Sequence, residues 1–211
     1  MHRIAGWLGF QHTDAPRTLD RLLSRCRGPR PGHVHADAQW GMASNLPLAI
    51  DGDLAALITG RPRFVDAALQ DLPAAAALLT LWRRHGPDTP RHVHGNFALA
   101  VLDRHAQSVF IALDRIGAEK LAYCTRPTGM VFASQADIVA AHPAVGAGID
   151  PQGLFNCVYF DQVPAPGSVF RSVEKLLPAQ WAHWQKGRLT RGFYWALRYH
   201  DSPRDDFAAQ A

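Results

Sequence analysis

Residues 95–103 read Gly-Asn-Phe-Ala-Leu-Ala-Val-Leu-Asp. Six apolar residues stand between two polar ends. That length and those ends predict a buried strand over Asn96 to Asp103. Three more short runs follow at close spacing: Ser108 to Leu113, Leu121 to Thr125 and Met130 to Ala133. Turn residues separate them, so the middle of the chain reads as successive strands. On the amino-terminal side the period changes. Residues 65 to 85 read as helix, in two pieces, because Pro73 interrupts the pattern. Pro73 suits the first position of the second piece and Gly86 suits its end.

Further out, Leu46 to Ile50 predicts a strand closed by the turn pair Asp51-Gly52. Leu19, Leu22 and Leu23 put a short helix within residues 18–26, and Ile4 to Leu8 predicts an opening strand. Residues 27–32 are rich in Gly and Pro and read as loop. On the carboxyl-terminal side Gln135 to Ala141 reads as helix. Asp150 with Pro151 is an N-cap and first-turn pair for a helix to Tyr159. A hairpin turns at Lys186-Gly187, between residues 180–186 and 188–195. Asp201-Ser202-Pro203 predicts another helix start. Many short strands with a few helices imply packed sheets flanked by helices, an α+β fold.

Composition sets outer limits. Hydrophobic residues make up 47% of the 211, enough for a core, and 19% are charged. Cys26, Cys124 and Cys157 are odd in number and far apart, which suggests neither a disulfide framework nor a zinc ribbon. The expected home is the cytoplasm. The first ten residues lack a signal-peptide run, and the apolar stretch at Ala74 to Trp82 is too short for a membrane helix. The net charge of +4 comes from scattered arginines, so neither nucleic acid nor a membrane is expected as partner. His33 and His35, and His92 and His94, form two His-x-His pairs without an acidic or cysteine partner. They read as surface residues, and no metal site is expected.

Five stretches, in order, resemble the class II glutamine amidotransferase domain of asparagine synthetases. Residues 95–103 are similar to that family's GDFAFALWD segment. Ala112-Leu113-Asp114-Arg115-Ile116-Gly117-Ala118-Glu119-Lys120-Leu121-Ala122-Tyr123 resembles its ARDRLGIKPLYY. Phe132-Ala133-Ser134 with His142-Pro143 resembles its FASE and HP. Val163-Pro164-Ala165-Pro166, Val169-Phe170 and Val173 to Pro178 resemble its VPAP, IF and KLPPG segments. Tyr194-Trp195 matches its closing YW. The resemblance implies a four-layer αββα sandwich of the N-terminal-nucleophile hydrolase type over residues 1–195. It also implies the start of a linker, over 196–211, toward an ATP-pyrophosphatase domain.

Active members of that family carry Cys after a removed initiator Met, and its thiolate attacks the glutamine amide. Here the start is Met1-His2-Arg3. Imidazole does not replace a thiol in that geometry. The family's Asn-Gly oxyanion pair is matched to Asp51-Gly52. That retains the Gly52 N–H but places a negative charge where a donor is needed. The carboxylates that hold the glutamine amine are matched to Ala74 and Ala76. Residues 41–47, Gly-Met-Ala-Ser-Asn-Leu-Pro, lack the arginine for the glutamine carboxylate, and the chain lacks the SGGxDS loop of the synthetase half.

The expectation is therefore a catalytically degenerate glutaminase-type domain with a structural or regulatory role. Its parent would be an asparagine-synthetase-like, ATP-dependent amide-forming enzyme or a lasso-peptide cyclase. Its partners would be a synthetase domain, in cis or in trans, and a precursor peptide, and it could form an oligomer. No cofactor is expected in this chain, with ATP and Mg confined to the synthetase domain. Val163, Pro164, Ala165 and Pro166 are domain-interface candidates, or else a Pro-fixed turn. Asp114, Arg115 and Lys120 read as a salt-bridged turn with Gly117. Trp181, Trp184 and Trp195 read as core and hairpin residues. The alternative is a stand-alone binding module for a small molecule, a peptide or a partner subunit.

Overall fold

A computed structural model of the chain describes residues 3–10, 14–24 and 32–199. Chain order begins with strand β1 (Ile4–Leu8), helix α1 (Ala15–Ser24), β2 (His33–Ala36), β3 (Trp40–Ser44), β4 (Ala49–Asp51) and β5 (Leu54–Phe64). After a 3-10 turn at Ala67–Leu69 come α2 (Ala74–His85) and a second 3-10 stretch, Gly86–His92. Then follow β6 (Val93–Asp103), β7 (Ser108–Leu113), β8 (Ala122–Arg126) and β9 (Gly129–Ala133). The last elements are α3 (Ala136–Ala140), α4 (Pro151–Phe160), β10 (Glu174–Lys175), β11 (Gln180–Gln185) and β12 (Arg188–Phe193). The opening of a helix at Asp201 lies outside the described residues.

Two antiparallel sheets result, ordered β10-β8-β9-β1-β3-β2 and β12-β11-β7-β6-β5-β4. The period of two along each strand sorts side chains into layers. Ile4 and Leu8 of β1 meet Ala55 and Leu57 of β5 and Ala98, Ala100 and Leu102 of β6 between the sheets. The alternate residues Ala5 and Trp7 pack under Leu19, Leu22 and Leu23 of α1 and Ile138 and Val139 of α3. Ala56 and Ile58 pack under Leu78 and Leu81 of α2. Helix, sheet, sheet, helix is the αββα order that the resemblance implied.

Most of the middle of the chain forms where its apolar pattern put it. Four strands escaped the reading, the two-residue β10 among them. β5 is broken in sequence by Arg61-Pro62-Arg63. Beyond Ala56 it pairs only with β6, because β4 stops at Ala49, so the missing Pro62 N–H faces no partner strand. β3 holds Gly41 because a Cβ there would lie 2.4 Å from the Trp7 ring. β2 is exposed along His33, Val34 and His35 and has no apolar alternation to read. The expected strand over Leu46 to Ile50 shrinks to Ala49–Asp51. Pro73 sits just before α2 rather than inside it.

A polar tie crosses the sheet edges. The Tyr123 hydroxyl donates to Glu174 at 3.1 Å and accepts from Arg191 of the other sheet at 3.0 Å, and Arg191 also pairs with Glu174. Burial, and then the Glu174 charge, push the Tyr123 hydroxyl up to about 12. A raised phenol favours the neutral form in the fold. Its stabilisation is complete below pH 10 and is lost as pH climbs toward 12. We expect the unfolding free energy from urea titrations to fall across pH 10–12 by about 2–3 kcal/mol for this group, and Tyr123→Phe to flatten that fall. An unchanged slope in Tyr123→Phe would refute the assignment.

Candidate active site

The head of β1 is where the resemblance places chemistry. Met1 and His2, ahead of Arg3, lie outside the described residues, as does Cys26. From Arg3 onward the setting is defined. The Arg3 N–H donates to Asn45 Oδ1 at 3.0 Å, and the Asn45 N–H returns to the Arg3 carbonyl at 3.2 Å. Ser134 N–H donates to the Ile4 carbonyl at 2.9 Å. Ile4 faces Ser44 across β3, and the Ser44 hydroxyl accepts from Leu46 N–H. Arg3 is nine-tenths buried, and its Nη1 has no hydrogen-bond partner.

A cavity of about 490 Å³ opens beside this point. Glu119, Lys120, Ser134, Val163 and Lys175 line it, and Pro164 and Ala165 close one side. The Ser134 hydroxyl is buried without a partner. Lys175 reaches the Val163 carbonyl. Burial, then the neighbouring Lys120 charge, hold its ammonium below the usual lysine range. The interface candidates Val163, Pro164 and Ala165 thus border the cavity, while the Pro166 carbonyl accepts from Lys175 N–H at 2.8 Å.

Asp51-Gly52 lies elsewhere. Arg104 donates to the Gly52 carbonyl at 2.6 Å and its guanidinium sits over the Trp40 ring at 5.4 Å. Trp40 pairs with Leu8, the last residue of β1. The turn is therefore at the far end of the sandwich, four strand residues or about 13 Å from the head of β1. Asp51 is tied there to Arg83 at 2.5 Å. Asp51 and Gly52, which the sequence reading assigned to the site, thus lie at the other end of β1 from Arg3.

The pair that does reach the site is Thr59-Gly60, eight residues later. Gly60 has φ +91°, and a Cβ built on it would lie 3.2 Å from Glu119 Oε1 of the cavity wall. Thr59 is buried, and its hydroxyl donates to the Ala98 carbonyl at 3.4 Å. The signal for this pair was the apolar run Leu54 to Ile58 ahead of it, which makes Thr59-Gly60 part of the strand beside 95–103. Asn45, Arg3, Ser134 and Glu119 were also not singled out as site residues, because only the sheet pairing brings them together.

α2 orients the remaining position. Arg83, near its carboxyl end, reaches Asp51, so its amino end points away from the Asp51-Gly52 turn. Ala74 stands there with no acidic residue in the first turn and no side-chain cap. Asp114 is buried and accepts backbone N–H groups from Ile116, Ala118 and Glu119 at 3.1, 3.1 and 2.9 Å. Those amides hold it in place of the salt bridge expected from sequence. Arg115 instead lies over the Trp195 ring at 5.7 Å. Cys124 lies in the core between the first sheet and its helices, where burial raises its thiol, and Cys157 is exposed on α4. His33, His35 and His94 are exposed, and the described residues contain no group of three or more metal-ligating side chains.

Residues 73–195 match the family model described as the glutamine amidotransferase domain. The chain belongs to the glutamine amidotransferase domain family. A curated relative, asparagine synthetase [glutamine-hydrolyzing] 3 of Bacillus subtilis (strain 168), is 29% identical over 125 residues. That is 58% of this chain and 20% of the relative. This amidotransferase domain thus spans about a fifth of that protein. In structure it resembles glutamine phosphoribosylpyrophosphate amidotransferase of B. subtilis, with TM-score 0.53 at 12% identity over 91% of this chain and 49% of the other. A structure titled the allosteric regulatory enzyme of purine biosynthesis gives TM-score 0.54 at the same identity and coverage. These likenesses establish the amidotransferase fold. No helix among the described residues is long and apolar enough to cross a membrane.

Proposed function

We propose that this amidotransferase domain is catalytically silent and serves an asparagine-synthetase-like amide-forming enzyme as a structural or regulatory part. The observation that carries the reading is His2, two residues ahead of the start of β1 in the sequence, where active relatives present the nucleophilic thiol. Three features support it. Thr59 takes the place of an oxyanion donor at the head of β1 and gives its hydroxyl to a backbone carbonyl. Asn45 spends its side-chain oxygen on Arg3. Ala74, at the amino end of α2, offers no carboxylate to a substrate amine. Without a covalent nucleophile the rate falls by several orders of magnitude. The parent enzyme would then use free ammonia or an amine as its nitrogen source. Asparagine-synthetase-like enzymes and peptide cyclases such as lasso-peptide cyclases both fit that role. ATP and Mg would belong to the synthetase partner, reached through the Val163 to Pro166 loop.

The test is ammonia and glutamate release from glutamine by the natural protein and by His2→Cys. The expected result is release at the no-protein rate in both, because the pocket has lost more than its nucleophile. Turnover by the natural protein would overturn the reading, and turnover by His2→Cys alone would confine the defect to residue 2. A second reading, a stand-alone binding module, draws on the cavity beside β1. Its two lysines and the unpartnered Ser134 hydroxyl suit a small acidic ligand.

A further inference from the structure

The chain has three lysines, Lys120, Lys175 and Lys186, and two of them line the cavity at the head of β1. Strand pairing puts them there. Lys175 of β10 faces Ala122 of β8, and the Leu176 N–H donates to the Leu121 carbonyl at 2.9 Å, so the pairing runs one residue past the end of β8. Lys120, two residues ahead of Ala122, is thus the diagonal neighbour of Lys175, about 7 Å away. Both backbones are fixed. Asp114 holds the Ile116, Ala118 and Glu119 amides of the turn that leads to Lys120, and the Lys175 N–H donates to the Pro166 carbonyl at 2.8 Å. The Lys175 ammonium gives one proton to the Val163 carbonyl, which leaves two for a ligand. Among the described residues neither lysine forms an ion pair. Glu119 lies on the Gly60 side of the wall, where a Cβ built on Gly60 would stand 3.2 Å from its Oε1, and pairs with neither lysine. Burial, then the Lys120 charge, disfavour the Lys175 ammonium, and an anion held between the two removes the second cost.

We propose that this cavity takes a small dicarboxylate, with one acidic group on Lys120 and the other on Lys175. The proposal rests on the reading of the cavity as a site for a small acidic ligand, and adds the number and spacing of that ligand's charges. Two ammonium groups set a strand diagonal apart are neutralised together by an anion whose own charges are similarly spaced. A monocarboxylate neutralises one lysine and leaves the other. Inorganic phosphate carries enough charge but lacks the span. Lysine suits this task, because its compact charge rides on a flexible stem that closes the last few ångströms. The volume of about 490 Å³ lies in the range of small-molecule sites.

Isothermal titration calorimetry at low ionic strength tests this, with succinate, acetate and inorganic phosphate as probes. The natural chain is compared with Lys120→Ala, Lys175→Gln and Lys186→Ala. Succinate is expected to bind saturably at one site, about tenfold tighter than acetate or phosphate. Lys120→Ala and Lys175→Gln should each weaken succinate about tenfold, the glutamine keeping a donor for the Val163 carbonyl. Lys186 lies in the turn between β11 and β12, and Lys186→Ala should leave binding unchanged. Lys120 is exposed, so its variant decides the matter even where Lys175→Gln fails to fold. No saturable binding of any probe to the natural chain overturns the acidic-ligand reading of the cavity and this proposal with it. Succinate binding that acetate or phosphate matches, that survives Lys120→Ala, or that Lys186→Ala weakens equally, overturns the two-lysine dicarboxylate site alone.

Discussion

Asp114→Ala is expected to destabilise the domain by about 4 kcal/mol, a large share of a typical folding stability. The carboxylate is buried and accepts three backbone N–H groups from the turn that follows it. Its own backbone is tied on both sides, with its N–H to the Phe97 carbonyl and its carbonyl to the Ala179 N–H. Removal leaves three donors without an acceptor and frees the loop that forms one wall of the site cavity. Asp114→Asn keeps part of the acceptor capacity and should lose about half as much. For a chain of this size about 4 kcal/mol is a fall in melting temperature of about 8–16 °C. The residue belongs to the most recognisable stretch of the family resemblance, so a reactive role is the natural rival. That rival expects unchanged melting, and a shift under about 2 °C for Asp114→Ala would sink the structural account.

Gly60→Ala is expected to cost about 3 kcal/mol and to damage the head of β1 more than any surface change. Two effects add. The residue sits at φ +91°, where an L side chain is strained, and the new Cβ would lie 2.3 Å from the Asn96 carbonyl of the paired strand. That neighbour is backbone in the middle of the β5–β6 pairing, so relief requires the two strands to part. Gly52→Ala is the internal comparison. Gly52 also has positive φ, +61°, but its Cβ direction is open. It should cost only about 1 kcal/mol. Urea denaturation of both variants separates the close approach from the backbone preference. Equal losses would show that the contact with Asn96 contributes nothing.

The two Gly pairs show how far the sequence could be read at the site. Ile50-Asp51-Gly52 and Ile58-Thr59-Gly60 look alike as strings, an apolar residue, a polar one and a glycine. Only pairing distinguishes them, because Gly60 faces Phe97 on β6 while Asp51-Gly52 turns back at the Trp40 end. Pro62 kept β5 from reading as a strand, since a proline inside a strand is tolerated only where its missing N–H has no partner. That condition depends on how far β4 runs. Asn45 and Arg3 are 42 residues apart and share a hydrogen bond that no local pattern signals.

What the sequence determined by itself is the local alphabet of the domain. It contains the apolar runs of β6 to β9, the Asp150 cap of α4, the Lys186-Gly187 hairpin and the histidine at position 2, each set by neighbours within a few residues. The tertiary structure decided which of these meet. It set Thr59-Gly60 rather than Asp51-Gly52 beside the cavity wall at Glu119, turned Asp114 from an ion-pair partner into an acceptor for three amides, and left an apolar stripe of α4 uncovered. Local patterns report dihedral preference and the burial of one face. Strand register, the end of a sandwich at which a turn lies, and the surface left bare depend on contacts between residues far apart in the chain, and those exist only once the sheets have paired.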